Sequence, residues 1–303
     1  MSYIKSVIVI AGPTAVGKTA HAIEVARYFN TVILSADSRQ CYKEMDIGVA
    51  RPSAQELQQV PHYFIASHSI QEPINAAWYD TYALNLLQEL FKEKDTIVVT
   101  GGTGLYIKAL IEGMDAIPQV DTTIRDNIII QYKEKGIAWL QQQLQELDPL
   151  FFASGEMQNP QRMMRALEVI QATGRSIISF RSQKKNPRPF NIIQVGLELP
   201  RDVLYERINA RTDVMMQAGL VAEVERLTDY KRLNALQTVG YKEIFDYLDG
   251  KTLLQTATDL IKQNTRRYAK RQMTWFKRQP GMNWINLEKT PYILPLITSL
   301  VRQ

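Results

Sequence analysis

The stretch "GPTAVGKT", Gly12 to Thr19, limits what this chain can fold into more than any other. It fits G-x-x-x-x-G-K-[ST]. A short β-branched run, Ser6 to Ile10, precedes it, and Thr19 to Tyr28 carries apolar residues at helical spacing after it. Strand, glycine turn and helix start, in that order, make a cradle for anions. Gly12 and Gly17 let the backbone turn so that successive N–H groups point at phosphate oxygens. The helix N-terminus adds partial positive charge. Lys18 supplies a point charge, and the Thr19 hydroxyl is a ligand for Mg²⁺. Gly12, Pro13, Thr14, Ala15, Val16, Gly17, Lys18 and Thr19 are therefore the expected phosphate-binding set.

The cradle does not say which phosphate it holds. ATP is the default occupant, and ATPases and kinases add a metal-holding acid at a strand end. The apolar run Thr96 to Val99 ends instead in Thr100-Gly101-Gly102-Thr103. The run Thr31 to Leu34 is followed by an acid, Asp37, in "SADSRQCYKEMDIGVARP", Ser35 to Pro52. On local chemistry alone a P-loop small-molecule kinase stays open.

Strand and helix alternate through the first third of the chain. Ile74 to Lys94 reads as a helix with Ala77, Leu84, Leu87 and Phe91 on one side. This alternation predicts a parallel sheet covered on both faces. From Thr122 to Ser179 the pattern is helical only: "IRDNIIIQYKEKG", "GIAWLQQQLQELD" and "PQRMMRALEVIQATG". A basic, proline-containing connector, Arg181 to Pro189, leads to a strand pattern at Ile192 to Leu199. Helices are expected near Arg201 to Thr228 and Thr252 to Arg278. The predicted organisation is an α/β core, residues 1–117 and 190–303, interrupted by a helical insertion, residues 118–189.

A length of 303 residues suits about two domains, and 45% hydrophobic residues suit a chain with a real core. One cysteine, Cys41, excludes an internal disulfide and fits a reducing cytoplasm. With only three histidines beside it, a zinc site is not expected. No apolar run approaches the roughly 20 residues of a membrane span, and Val7 to Ile10 is too short for a signal peptide. The net charge of +5, from 36 basic and 31 acidic residues, is local. Leu260 to Leu287 holds Lys262, Arg266, Arg267, Lys270, Arg271, Lys277 and Arg278 and no acid. Outside it, acids outnumber bases. Such a segment predicts a face for a polyanion.

"GPTAVGKT", "DSRQCYKEMDIGVARP", "GGTGLY", "NPQRMMRALE" and "QTVGYKE" occur in that order. Together they resemble the tRNA dimethylallyltransferase (isopentenyltransferase) family of bacterial type, over nearly the whole chain. Where that family commonly has G-T-A-K-P, this chain has Gly48-Val49-Ala50-Arg51-Pro52. The resemblance implies an α/β fold: a P-loop nucleoside-triphosphatase-like core with a parallel sheet and an all-helical insertion domain. It implies that the cradle holds the diphosphate of dimethylallyl diphosphate, with Mg²⁺ on Thr19. It implies transfer of the dimethylallyl group to N6 of adenosine 37, beside the anticodon, in tRNAs reading codons that begin with U. The expected enzyme is a cytoplasmic monomer with the anticodon stem-loop of tRNA as its partner.

The chemistry needs a carboxylate, because an exocyclic amine is a poor nucleophile and must lose a proton as its new bond forms. Asp37 is the candidate base, although Asp before Ser also suits a turn cap. Thr103 matches the family's contact near the reacting base, and equally suits a helix N-cap. Arg211, in "ERINARTDVMM", matches the family arginine on the diphosphate; a solvated helix face is the alternative. The resemblance adds Ser38, Arg39, Gln40, Arg125, Gln161, Arg162, Met163, Met164 and Arg165 as tRNA contacts, beside Asp37 and Thr103. In "RRYAKRQMTWFKR", part of the basic stripe is expected on RNA phosphates, and Trp275 and Phe276 in the core. Cys41 reads as a small buried residue. Two other readings remain at this point: a prenyltransferase acting on free AMP or ATP, and the kinase.

Overall fold

The computed structural model describes residues 5–181 and 186–301. The chain divides into two compact units, Met1–Glu112 with Pro187–Gln303, and Gly113–Asn186.

The first unit is built on β1 (Ser6–Ala11), β2 (Ile33–Ser35), β3 (His62–Tyr63), β4 (Thr96–Gly101), β5 (Asn191–Glu198) and β6 (Met282–Asn286). They form a six-stranded sheet in the order β3-β2-β4-β1-β5-β6. Every pairing is parallel. β1 is central and wholly buried, which is why its sequence is a continuous apolar run rather than an alternating one. Its register sets Ala11 beside Gly101 and Gly196, and that of β2 sets Ser35 beside Thr100. The loops leaving β1, β2 and β4 therefore share the carboxyl edge of the sheet, where open α/β sheets bind ligands.

Several local expectations are corrected. β3 and β6 carry no strand signal, being two residues long and polar-apolar mixed respectively. The helix Ala76–Leu90 buries Ala76, Tyr79, Ala83 and Leu87. Of the expected side, Leu87 is buried, Leu84 and Phe91 are half-buried and Ala77 is exposed; Ala76, Tyr79 and Ala83 take its place. Tyr79 anchors it, donating its hydroxyl to the Ser35 carbonyl at 2.9 Å. The single helix expected over Arg201 to Thr228 is two, Arg201–Gln217 and Leu220–Glu225. Gly219, at φ 97°, breaks it. The helix Leu254–Lys277 stands as expected, with Phe276 buried.

The second unit holds the helices Thr122–Leu147, Pro149–Ala153 and Pro160–Thr173, and no strand among its described residues. Gly136, at φ 73°, interrupts the first of these, separating the two amphipathic segments read from the sequence. Leu140, Leu144, Phe151, Met163, Leu167 and Val169 form its core. Met163 and Met164 are buried. Their side chains pack this core instead of presenting a surface to RNA, which corrects the expectation for both. Of the connector, residues 182–185 lie outside the described residues. No helix among the described residues is long and apolar enough to cross a membrane.

Candidate active site

Gly12 leaves β1 at φ 154°, and a Cβ there would stand 2.7 Å from the Leu197 carbonyl oxygen. Only glycine fits this approach of the loop to β5. The loop then turns through Gly17, at φ 107°, into the helix Lys18–Tyr28. Lys18 folds back over the loop, donating from Nζ to the Gly12 carbonyl at 3.1 Å and the Pro13 carbonyl at 2.8 Å. Burial pulls its pKa down to about 8; the Asp37 carboxylate opposes that shift and the Arg211 guanidinium adds to it. An ammonium that is costly to bury is one that gains from an arriving anion.

Arg211 reaches the same loop. Its Nη2 donates to Thr14 Oγ1 at 2.5 Å. Burial lowers its pKa, with Asp37 opposing. The solvated-face alternative for Arg211 is thereby excluded. One helical turn earlier, Arg207 Nη1 donates to the Val16 carbonyl at 3.5 Å. The sequence reading missed Arg207; its signal was the spacing of four, which puts both guanidinium groups on one face.

Asp37 follows β2. Its Oδ1 accepts from the backbone N–H of Arg39 at 2.9 Å and of Gln40 at 3.3 Å. The turn cap is thus real, and it occupies one oxygen. Asp37 acts electrostatically on Lys18, Arg211, Cys41, Tyr106 and Tyr268, which converge from five segments of the chain. The Tyr268 hydroxyl is pushed up to about 12, first by burial and then by Asp37. The same causes push the buried Cys41 thiol up to about 12, which leaves it inert.

Thr103 links the β2 and β4 loops. Its Oγ1 accepts from the Ser38 N–H at 3.0 Å and lies 3.2 Å from Ser38 Oγ. The Arg39 guanidinium donates to the Ser38 carbonyl at 3.1 Å. Gln40 Nε2 donates to the carbonyls of Val49 at 3.3 Å and Ala50 at 2.8 Å. Its amide nitrogen is therefore held by the loop rather than presented outward. Arg51 is a loop tether too, donating to the carbonyls of Tyr42, Lys43 and Met45 and pairing with Asp46. Glu223, buried and unread in the sequence, accepts from the N–H groups of Asp46, Ile47 and Gly48 and from the Tyr241 hydroxyl.

The basic segment of Leu254–Lys277 is split by its environment. Arg267, Lys270 and Arg271 are exposed. Arg266 is half-buried and donates to Asn209 Oδ1 at 2.6 Å, so it leaves the expected stripe. Lys277 pairs with Glu198 at 2.6 Å. Trp275 packs on Gly104, where a Cβ would collide with its ring. In the helical unit, Gln161, Arg125 and Arg162 are exposed. Arg162 pairs with Glu156 at 3.1 Å. Arg165, at 3.0 Å, and Arg125, at 3.8 Å, share the buried carboxylate of Glu168.

A family model described as "IPP transferase" matches residues 40–279. The chain is 47% identical to a tRNA dimethylallyltransferase of Cytophaga hutchinsonii, covering 94% of each chain. It is 42% identical to tRNA dimethylallyltransferase 1 of Bacteroides fragilis, over 98% of this chain and 99% of the other. A crystal structure of the full-length tRNA isopentenylpyrophosphate transferase of Bacillus halodurans matches with a TM-score of 0.73. It is 35% identical, covering 98% of this chain and 97% of that one. A eukaryotic dimethylallyltransferase described as acting on tRNA matches with a TM-score of 0.76. It is 25% identical, covering 93% of this chain and 74% of that one.

Proposed function

The chain belongs to the IPP transferase family, and on that premise we propose that it moves a dimethylallyl group from dimethylallyl diphosphate to tRNA. The acceptor in this reading is N6 of adenosine 37, beside the anticodon, in tRNAs reading codons that begin with U. One observation carries it: a cationic phosphate cradle and a single carboxylate, Asp37, meet at the carboxyl edge of one sheet.

In the proposed reaction the carbon–oxygen bond to the diphosphate breaks, and a bond forms from N6 to the same carbon. Negative charge builds on the departing oxygens. Cradle N–H groups, Lys18 and Arg211 neutralise it, and such fixed donors cost no reorganisation as the charge develops. Asp37 accepts the proton that N6 loses. Its Oδ1 is held by two turn N–H groups, and Oδ2 accepts no hydrogen bond among the described residues. One oxygen thus fixes the carboxylate and the other is free to act. Thr103 holds the Ser38 N–H next to it.

Mg²⁺ is normally held by one or two protein oxygens together with substrate phosphates. The Thr19 hydroxyl, in the first turn of the helix Lys18–Tyr28 that closes the cradle, would supply such an oxygen. When bound, such an ion supplies charge neutralisation on the diphosphate.

An adenine must leave its stack to be modified. Ser38, Arg39 and Gln40 are the proposed contacts around it, and Gln161, Arg162, Arg165 and Arg125 are proposed RNA contacts of the helical unit. The reading takes the enzyme as a cytoplasmic monomer. Its test is radiolabelled dimethylallyl diphosphate offered with tRNA or with AMP. Label moving into tRNA and not AMP is expected; label moving into AMP contradicts the reading.

The exposed stripe is a phosphate contact in this account. Removing Arg267, Lys270 and Arg271 together should weaken tRNA binding with little effect on the donor. The log–log salt slope should flatten by roughly 0.7 to 0.9 for each lost contact. Filter binding across a salt series reads this; an unchanged slope in the folded variant returns the stripe to plain solvated surface.

A further inference from the structure

Gln272 lies on the helix Leu254–Lys277 and is buried. Its Oε1 accepts the Thr14 N–H at 2.8 Å. Its Nε2 donates to the Gly102 carbonyl at 2.9 Å. Resting on the proposed transfer reaction, we infer that Gln272 is a positioning residue that sets the distance between the diphosphate cradle and the loop beside the proton acceptor.

The two contacts fall on the two halves of the site. Thr14 belongs to the cradle and takes Arg211 through its hydroxyl. Gly102 is followed by Thr103, which holds the Ser38 N–H next to Asp37. A single carboxamide therefore joins the group that holds the leaving diphosphate to the group that holds the base. The surroundings are shaped for it. A Cβ at Gly102 would collide with Gln272 Nε2, so the glycine makes room for this side chain. The contact is also chemically narrow. The carboxamide offers an acceptor and a donor side by side, and neither role depends on its protonation state. Reacting groups must be held close to their productive distance, and a misplacement of about 1 Å can cost roughly 100-fold in rate.

Two variants test this. Gln272→Leu removes the bonds to Thr14 and Gly102, together with the side-chain hydrogen bond to Tyr268, and its kcat should fall about 10- to 100-fold, with tRNA affinity little changed. Gln272→Glu is isosteric. Ionised, it accepts from Thr14 but sets a second acceptor against the Gly102 carbonyl; protonated, it regains a donor. Tyr268 is hydrogen-bonded to the Gln272 side chain, and Lys18 Nζ lies beside the same Gly102; Arg211 and Asp37 act on Lys18 behind them. The readout is the ratio of variant to wild-type kcat at each pH, which cancels titrations common to both proteins. That ratio should rise roughly tenfold or more from pH 8 to pH 5.5 as the introduced carboxyl protonates. Circular dichroism melting confirms that each variant is folded. A pH-independent ratio, or a Leu variant that raises only KM, overturns the inference while wild-type transfer to tRNA keeps the reaction. A wild-type protein that transfers nothing to tRNA overturns both.

Discussion

Asp37→Asn abolishes transfer and leaves tRNA binding nearly intact. The expected loss is about 10²- to 10⁴-fold in kcat, the usual contribution of a positioned general base. Asparagine is the informative change because the Asp37 side chain does two things. Its Oδ1 caps the turn through the Arg39 and Gln40 N–H groups, and an asparagine oxygen keeps that role. Only proton acceptance is lost. Asp37→Ala removes both functions, so its further cost beyond that of Asn measures the cap. Single-turnover kinetics with saturating donor and tRNA separate the two, beside a binding assay. An Asn variant turning over within a few fold of wild type removes Asp37 from the base role.

Lys18→Ala weakens donor binding by roughly 10- to 100-fold, the worth of a charged hydrogen bond at a buried site. The loss should appear in donor affinity more than in tRNA affinity. The native lysine also predicts a pH dependence. Its pKa lies near 8 rather than 10.5. The ammonium is therefore present below pH 8 and lost above it in the donor-free protein. Diphosphate affinity should fall as pH rises through 8, by at most about tenfold per pH unit for one proton. Above pH 8 binding should take up a proton, because the arriving anion favours the charged form. Calorimetry of inorganic diphosphate in buffers of different ionisation heat reads that uptake. The same affinity at pH 7 and pH 9 contradicts the assignment of Lys18 to the anion.

Much of the α/β core was legible because its signals are local. β1 is a buried parallel strand and reads as an uninterrupted apolar run, and the cradle motif occupies eight consecutive residues. Gly136 announced the break between the two helical segments around it. β3 and β6 were illegible for the opposite reason: they are the sheet's two outer strands, short and only partly buried. A half-covered edge does not impose a pattern on its residues. In the site, Asp37, Lys18 and Thr103 stand in motifs. Arg207 and Gln272 do not, because their partners are backbone atoms far along the chain; Gln272 and Thr14 are 258 residues apart. Glu223 was hidden in the same way, its carboxylate closing on N–H groups at Asp46 to Gly48. Burial also reversed readings that charge and motif suggested, taking Arg266 out of the basic stripe and Met163 and Met164 out of the surface.

Asp37, beside the diphosphate cradle, takes the N6 proton as the dimethylallyl group passes to an adenine in tRNA. The most direct test is mass spectrometry of tRNA incubated with the protein, dimethylallyl diphosphate and Mg²⁺. The tRNA is digested to nucleosides in one portion and to mapped fragments in another. The account predicts N6-dimethylallyladenosine, confined to the fragment bearing the adenosine beside the anticodon, and lost with Asp37→Asn. Unmodified tRNA, or a dimethylallyl group on any other base, would contradict it.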